Sequence, residues 1–397
     1  MRYRYKVIIN AIWAIPLVLL IRIIRPALHV RICGVDAARI GQMIPDLALH
    51  LQKDMFRSAR TLHLYFFLGP ISNLQWALMA QRSTLKIFGE WLRIVHTWNR
   101  LIPGGRPHEL PSSFTNSRDI DGIFEKFDCS IPFTTLETSQ CKKWLKSKGW
   151  KEAEPFVVLH VRDSEYLKQW VPTINWNYHS YRDSKIETYL PAAEWLNSQG
   201  VWVIRTGQKM LSPIQPSSKM IIDYAFDEEK SDLLDIWLFA NCNGCITTVS
   251  GPDMASALYL KPLLCVNASP LGILFTMFNS IHVPKNLFWK ASGTSLNLKE
   301  YLDHTFFYTD AYRNAGICIV DLTPEEILSA TKEFWGRIQG TWDETESELK
   351  RQHEFWEIFL TWPSYHEFHN WKNPLSRIGV SWLESKESSF MTSEWLD

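Results

Sequence analysis

"PFVVLHVRDSEYL" (Pro155–Leu167) begins as a continuous apolar run and ends with His160, Arg162, Asp163 and Glu165 packed together. A strand with no polar alternation is one covered on both faces, the pattern of a parallel sheet held between helices. Downstream the same grammar repeats. "VWVIRTG", "MIIDYA", "CITT" and "LLCVNAS" read as strands, and "SKIETYLPAAEWLNSQG", "DLLDIWLFANCNG" and "MASALYLK" as the helices between them. Strands alternating with helices at this spacing predict a doubly wound α/β domain. In the first of those helices Ser184 and Glu187 have capping-box spacing, Pro191 implies a late start or a kink, and Gly200 suits a left-handed stop.

Upstream, "ALHVRI" and "TLHLYFFLG" read as strands, with a helix around Ile44, Leu47, Leu49 and Leu51 between them. "LQWALMAQRSTLKIFGEWLRIVHTWNRLIP" then supplies a helix, a further strand and another helix. This βαβα order predicts a second open parallel sheet, separated from the first by the turn-rich stretch between Pro103 and Glu154. The expected organisation is an N-terminal segment 1–26, an α/β domain 27–150, a second α/β domain 151–322 and a helical tail 323–397. In the tail "TPEEILSATKEFWGRIQG" has a Thr-Pro-Glu-Glu start and a glycine stop, and Leu349, Trp356 and Leu360 are available for one face of the next helix.

The 397 residues exceed the usual size of a single core. Lysine plus arginine equals aspartate plus glutamate at 42 each, which removes the polycation signature of a nucleic-acid binder. An anionic ligand must therefore be met locally. Seven cysteines at irregular spacing do not form a disulfide framework and favour a reducing, cytoplasmic compartment. Cys242 and Cys245 form a C-x-x-C with no second pair at metal spacing, so both read as buried thiols and no metal site is expected.

Val7–Ile21 is nearly continuous apolar sequence, with Arg2, Arg4 and Lys6 before it and Arg22 and Arg25 after it. It is short for a span, which wants about 20 residues, and contains Asn10 and Pro16. A helix lying on an anionic membrane surface fits, and a buried first helix fits the same pattern. A secretory signal peptide has the basic and apolar regions but would need a small-x-small cleavage site, which does not follow.

Open α/β sheets bind ligands outside the carboxyl ends of their strands, so chemistry is sought there. At the first such end Arg162 offers a planar fork for phosphate and His160 a phosphate contact or proton shuttle, with Asp163 and Glu165 to orient them. An ordinary Arg–Asp pair tying strand to loop is the plain alternative. "TTVSGPD" (Thr247–Asp253) places Thr248, Ser250 and Gly251 before Pro252, where unpaired helical N–H groups and a hydroxyl would meet an anion. It lacks the Walker and dinucleotide fingerprints. "VIRTG" puts Arg205 at a third strand end. Arg182 is an additional anion contact, and Trp170, Trp176, Tyr178 or Tyr181 of the aromatic loop are candidates to cover a ligand. His282, His304 and His366 have no partner spacing. Three strand ends of one domain thus converge on a diphosphate and suggest a nucleotide-sugar pocket.

"VVLHVRDSEYL", "SYRDSKIETYLPAAEWLNSQGVWVIRTG", "FANCNGCITTVSG" and "KPLLCVN", in that order, resemble a bacterial family regarded as glycosyltransferases and associated with surface-polysaccharide gene clusters. "RIGQMIPDLALHL", "FWGRIQGTW" and "RIGVSWL" extend the resemblance over nearly the whole chain. More distantly, His-x-Arg at a strand end is similar to the motif of GDP-fucose-dependent fucosyltransferases, and the Ser-Gly-Pro turn to that of heptosyltransferases. The resemblance implies a GT-B fold, two Rossmann-like domains facing a cleft, with the nucleoside diphosphate sugar in the C-terminal domain, the acceptor in the N-terminal one, and no obligatory metal or other cofactor. The chain has Thr-Thr-Val-Ser-Gly where Thr-Thr-Ser-Gly is expected, and "RIGQ" where the family pattern would give Arg-Ile-Gly-His.

The expected activity is transfer of a sugar from a nucleoside diphosphate sugar to a lipid-linked or polysaccharide acceptor, such as lipopolysaccharide, at the inner face of the cytoplasmic membrane. Arg162, Arg205 and the Ser250–Gly251 turn would stabilise the departing diphosphate. Asp163 or Glu165, or Asp36 or Asp46 from the first domain, would serve as general base. A nucleotide-sugar epimerase or hydrolase of the same fold would use the same cradle. A non-catalytic scaffold of a polysaccharide-assembly complex would not need it.

Overall fold

The computed structural model describes residues 2–83, 85–114, 118–127, 130–170 and 173–391, without the side chains of Arg2, Arg4 and Trp170. The chain divides into two compact units, one of residues 1–119 and 126–134, the other of residues 120–125 and 135–397. Each is an α/β unit built on a parallel sheet flanked by helices, as the alternation of strand and helix patterns predicts.

The first unit carries β1 (His29–Asp36), β2 (Thr61–Leu68) and β3 (Ile87–Phe88) in the order β1-β2-β3, all parallel. Alternation along the strands splits their side chains between two helical layers. Val30, Ile32 and Phe66 enter a core with Ala14, Val18, Leu92 and Val95 from the helices Ala11–Ile23 and Glu90–Leu101. On the other face Cys33 and Tyr65 meet His50 of the helix Ile40–Met55. Strand order runs one way through this sheet. The reversal that defines double winding occurs, among the described residues, in the second unit.

The apolar N-terminus forms two helices, Arg2–Ile9 and Ala11–Ile23. Ala14, Val18 and Ile21, spaced four and three apart, are buried, while Ile12 at 83% and Ile23 at 74% exposure, with Leu19 and Leu20, face outward. One face of this helix is core, as the buried-helix reading expects, and the other is bare apolar surface. Arg22 fixes it by donating to the carbonyls of Asn99 and Pro103. No helix among the described residues is long and apolar enough to cross a membrane.

The second unit contains β4 (Phe156–His160), β5 (Trp202–Arg205), β6 (Ile221–Asp223), β7 (Gly244–Thr247), β8 (Leu263–Ala268), β9 (Ser280–Pro284), β10 (Asn286–Trp289), β11 (Ile317–Val320) and β12 (Arg377–Ile378). Seven of these make one parallel sheet in the order β12-β9-β8-β7-β4-β5-β6, and β10 and β11 form an antiparallel ribbon. The chain leaves β4 through β5 to β6, then crosses back to β7 on the opposite side. Strand order therefore reverses between β4 and β7, which pair from Val157 opposite Gly244 to His160 opposite Thr247. The strands β4, β5, β7, β8 and β9 are buried throughout. Gly244 belongs to this packing, since a Cβ there would stand 2.6 Å from the Phe334 ring.

Local signals hold with three corrections. Thr323 and Glu326 form a reciprocal capping box on the helix Pro324–Gln339, which stops at Gly340 with φ 69°. The Ser184–Glu187 pattern makes no such box. A 3-10 turn, Ile186–Tyr189, precedes the helix Leu190–Ser198, and Pro191 sits in its first turn, where a missing N–H costs nothing. In the helix Glu346–Thr361 the core-facing residues are Glu348, Gln352, Phe355, Ile358 and Phe359, whereas Leu349 is 47% exposed. Leu349 lies one position, about 100°, off that stripe; Trp356 and Leu360 flank it, packed against the core. The tail also contributes β12, so it is not helical alone.

Candidate functional site at the strand-order reversal

The carboxyl ends of β4 and β7 meet where the sheet reverses, the position at which open α/β sheets bind ligands. Arg162 follows β4 and Thr248 follows β7. The two ends are stitched together: the Arg162 N–H donates to Thr248 Oγ1 at 3.0 Å, and the Thr248 N–H to the His160 carbonyl at 3.3 Å. A third segment is tied in when the Ser184 N–H donates to the Arg162 carbonyl at 3.0 Å.

Arg162 Nε donates to Asp183 Oδ1 at 3.1 Å, while its Nη2 is buried with no hydrogen-bond partner. Arg182 Nη2 donates to the Val249 carbonyl at 2.5 Å. Burial first, and then the nearby Arg182 charge, hold the Arg162 guanidinium below its usual pKa, with Asp183 opposing both. Burial likewise raises the Asp183 carboxyl against the pull of Arg162. Arg162 is paired with one carboxylate and Arg182 with a backbone carbonyl, and one buried guanidinium donor is left unfilled. Such an arrangement accepts an anion with two or more oxygens.

Val249 has φ 55°, in the left-handed region that a β-branched residue enters at a cost of about 1–2 kcal/mol. It is the residue by which "TTVSG" exceeds the expected Thr-Thr-Ser-Gly, and its carbonyl is the one Arg182 holds. The strain therefore sits on the loop that orients a candidate ligand group.

The turn itself differs from expectation. The Ser250 N–H does not stand open, because it donates to Asp253 Oδ2 at 2.8 Å, which also accepts from Thr247 Oγ1 at 2.9 Å. Asp253 is 2% exposed, and burial pushes its carboxyl up to about 7. A buried acid occupies the place where free amides were expected, and the helix behind it, Asp253–Leu258, is short. Ser250 and Gly251 remain half-buried on the rim.

Arg205 is brought to the third strand end but turned inward. At 1% exposure it donates from Nη1 to Asp223 Oδ2 at 3.1 Å and to the Ser212 carbonyl at 2.9 Å, tying β5 to β6. The plain Arg–Asp pair, raised for Arg162, occurs at both positions, Arg162 with Asp183 and Arg205 with Asp223. His160 is also interior: its Nδ1 lies 3.1 Å from Thr206 Oγ1, and burial lowers its pKa to about 4, so it is neutral at neutral pH. Asp163 braces loops, accepting from the Glu165 N–H at 2.9 Å and the Leu211 N–H at 2.8 Å. Glu165 accepts from Gln169 Nε2 at 2.7 Å. In the first unit Asp36 accepts from the Ala38 N–H at 2.9 Å, and Asp46 is 2% exposed.

Sequence reasoning missed Asp183 and Lys285. Lys285, 3% exposed, donates to the Asp183 carbonyl at 2.7 Å and pairs with Asp321 at 2.7 Å. Lys285 follows β9 directly, so the strand-end rule could have found it. Asp183 stands beside Arg182 in the quoted loop.

Of the aromatic loop, Trp176 and Tyr181 are buried, and Tyr181 packs on Tyr312 with ring centroids 5.7 Å apart. Tyr178 lines a cavity of about 280 Å³ with His179, Phe307 and Tyr308. The Trp170 side chain lies outside the described residues. Cys242 and Cys245 are buried thiols, and no group of three or more metal-ligating side chains occurs among the described residues.

No protein-family model and no curated protein sequence matches the chain. Among solved structures it is similar to "the glycosyl transferase family 9 from Veillonella parvula DSM 2008", with 12% identity, a TM-score of 0.37 and coverage of 64% of this chain and 86% of that one. It is also similar to the E. coli ADP-heptose lps heptosyltransferase II, with 14% identity, a TM-score of 0.33 and coverage of 63% and 88%. Both overlaps are loose.

Proposed function

We propose that the second unit binds the diphosphate of a nucleoside diphosphate sugar at the β4–β7 reversal, and that the chain is a metal-independent glycosyltransferase of GT-B type. The observation that carries this reading is the buried, unpartnered Nη2 of Arg162 beside Arg182. Arg162 and Arg182 form the anion contact, with Ser250 and Gly251 on the rim and the buried Thr248 beneath, accepting from the Arg162 N–H. Arg205 holds the sheet edge beneath them. As the glycosidic bond to the diphosphate breaks, charge grows on its bridging oxygen, and donors already fixed in a half-buried site stabilise that charge without reorganising.

An acceptor hydroxyl must lose a proton as it attacks. Asp163 and Glu165 are the proposed bases. His160, neutral and internal, serves by positioning the strand end. The cavity beside Tyr178 and Tyr308 offers aromatic faces for the base or sugar. The acceptor is a glycan or lipid-linked glycan of surface-polysaccharide synthesis. The exposed Ile12, Leu19 and Ile23 face, near Lys6, Arg22 and Arg25, rests on an anionic membrane surface.

A panel of UDP, GDP, CDP and ADP in a thermal-unfolding assay tests the donor site. One diphosphate is expected to raise Tm in a saturable way. Four flat responses would defeat the reading.

A further inference from the structure

The loop that follows β7 is held from two sides. Thr248 Oγ1 accepts from the Arg162 N–H at 3.0 Å, and the Val249 carbonyl accepts from Arg182 Nη2 at 2.5 Å. On either side of these two, Thr247 Oγ1 donates to Asp253 Oδ2 at 2.9 Å and the Ser250 N–H donates to the same oxygen at 2.8 Å. The Asp253 N–H returns to the Ser250 carbonyl at 3.1 Å. Arginines thus grip the middle of the loop and Asp253 its two flanks, with Val249 kept at φ 55° between them.

A carboxylate is more than these bonds require. Both donors are neutral, and an amide oxygen in the same place would accept them, whereas a charge that is 2% exposed is costly to bury. The cation that acts on the Asp253 carboxylate is Arg182, one of the two guanidinium groups of the anion contact. Asp253 and an anionic ligand therefore compete for the same positive charge. The other groups packed around Asp253 keep one charge state near neutral pH. Cys245 of β7 and Cys265 of β8 are pushed well up by burial and stay thiols. The helix Asp232–Asn241 presents Phe239, whose carbonyl accepts from Ser256 Oγ, and carries its acids Asp232 and Asp235 in its first turn. Cys242 at the end of that helix is raised to about 11 by burial, with Lys261 pulling it back. His160, edge-on to the Phe239 ring, is neutral above about 4.

Burial pushes the Asp253 carboxyl up to about 7, so at neutral pH it is poised to gain or lose a proton. We infer that Asp253 is a positioning residue of the anion site, which holds the loop through Oδ2 and takes a proton from solvent onto Oδ1 when a diphosphate binds Arg162 and Arg182. The inference rests on the diphosphate reading of that site. With the proton on Oδ1, Oδ2 still accepts from Thr247 and Ser250, so the loop keeps its shape while a negative charge that would repel the ligand is removed. By linkage the protonated form binds the anion more tightly, so affinity is highest below pH 7 and falls as pH rises through it. At pH 7 such an acid is half-protonated, and binding takes up at most about half a proton.

Inorganic pyrophosphate is the probe, titrated calorimetrically into the full chain and into Asp253→Asn at pH 6 and 8, and at pH 7 in two buffers of different ionisation enthalpy. The titration of the probe itself is common to both proteins and cancels in the comparison. Asp253→Asn keeps an oxygen for both donors without the charge. It should match the unmodified chain at pH 6, bind at least about threefold tighter at pH 8, and take up at least about 0.3 proton less at pH 7. Asp253→Ala, which releases the loop, should bind at least about threefold more weakly at both pH values, with folding of each variant shown by circular dichroism. Should Asp253→Asn not fold, Asp253→Ser, also neutral and with an oxygen, takes its place. Equal proton uptake in the two proteins overturns the inference and leaves the diphosphate site standing. So does an Asn variant that binds more weakly than the unmodified chain at both pH values, or an Ala variant of undiminished affinity. Pyrophosphate that binds neither protein at millimolar concentration overturns both readings.

Discussion

At the scale of single residues, three strand-end side chains that look alike in sequence take different work. Arg162 keeps a free donor, Arg205 spends its donors on Asp223 and Ser212, and His160 is closed in against Thr206. Replacing Arg205 by Met should cost about 3 kcal/mol in urea unfolding, because it leaves Asp223 half-buried without its cation. A loss below 1 kcal/mol would show the pair to be dispensable. His160 and Asp253 make opposite contributions to pH dependence. His160 titrates near 4 in the folded chain and near 6.5 unfolded, so its stabilising effect is present above 6.5 and lost as pH falls through 4. Asp253 is raised from 3.8 to about 7, so its effect is present below 3.8 and lost as pH rises through 7. Asp253→Asn should thus flatten the fall in stability between about pH 4 and 7, and His160→Gln the fall on acidification below 6.5, both read as urea midpoints against pH. Curves parallel to that of the unmodified chain would contradict these assignments.

At the scale of elements, the strands were the most legible part. Continuous apolar runs such as "FVVLHV" and "LLCVN" have no amphipathic alternative, and the structure buries every residue of β4 and β8. The Thr323 capping box and Gly340 stop were legible because both act within one turn. What failed depended on contacts distant in sequence. Which stripe of the helix Glu346–Thr361 faces inward is decided by its packing on the sheet, and two polar residues, Glu348 and Gln352, belong to that stripe because Arg337, Arg377 and the Ile378 backbone satisfy them. Phe355→Ala should therefore cost about 3–5 kcal/mol, and Leu349→Ala less than about 0.5 kcal/mol, in chemical unfolding. Comparable losses at both positions would contradict the assigned face. The same limit applied to "TTVSGPD": its position after a strand was readable, but the buried partner of the Ser250 amide was not.

At the scale of the whole molecule, two parallel-sheet units followed from the order of patterns along the chain, and strand order did not. Sequence periodicity marks strands but is silent on which neighbours pair, so the one-way first sheet and the reversal between β4 and β7 emerged only from the pairing. The N-terminal helix shows a similar limit, since an apolar run does not reveal that only one side is used for packing. Binding of the full chain to anionic vesicles should fall at least fivefold in an Ile12→Asp/Leu19→Asp variant with Tm unchanged, both positions being exposed. Undiminished binding in sedimentation would remove the membrane from the account.

The reversal site remains the central claim, and it reduces to one donor. Calorimetric titration of the stabilising nucleoside diphosphate into the intact chain and into folded Arg162→Ala measures that donor directly. The account predicts at least a tenfold loss of affinity in the variant, about 1.4 kcal/mol or more. Equal affinity in the two proteins would place Arg162 among the structural ion pairs and contradict the proposed diphosphate site.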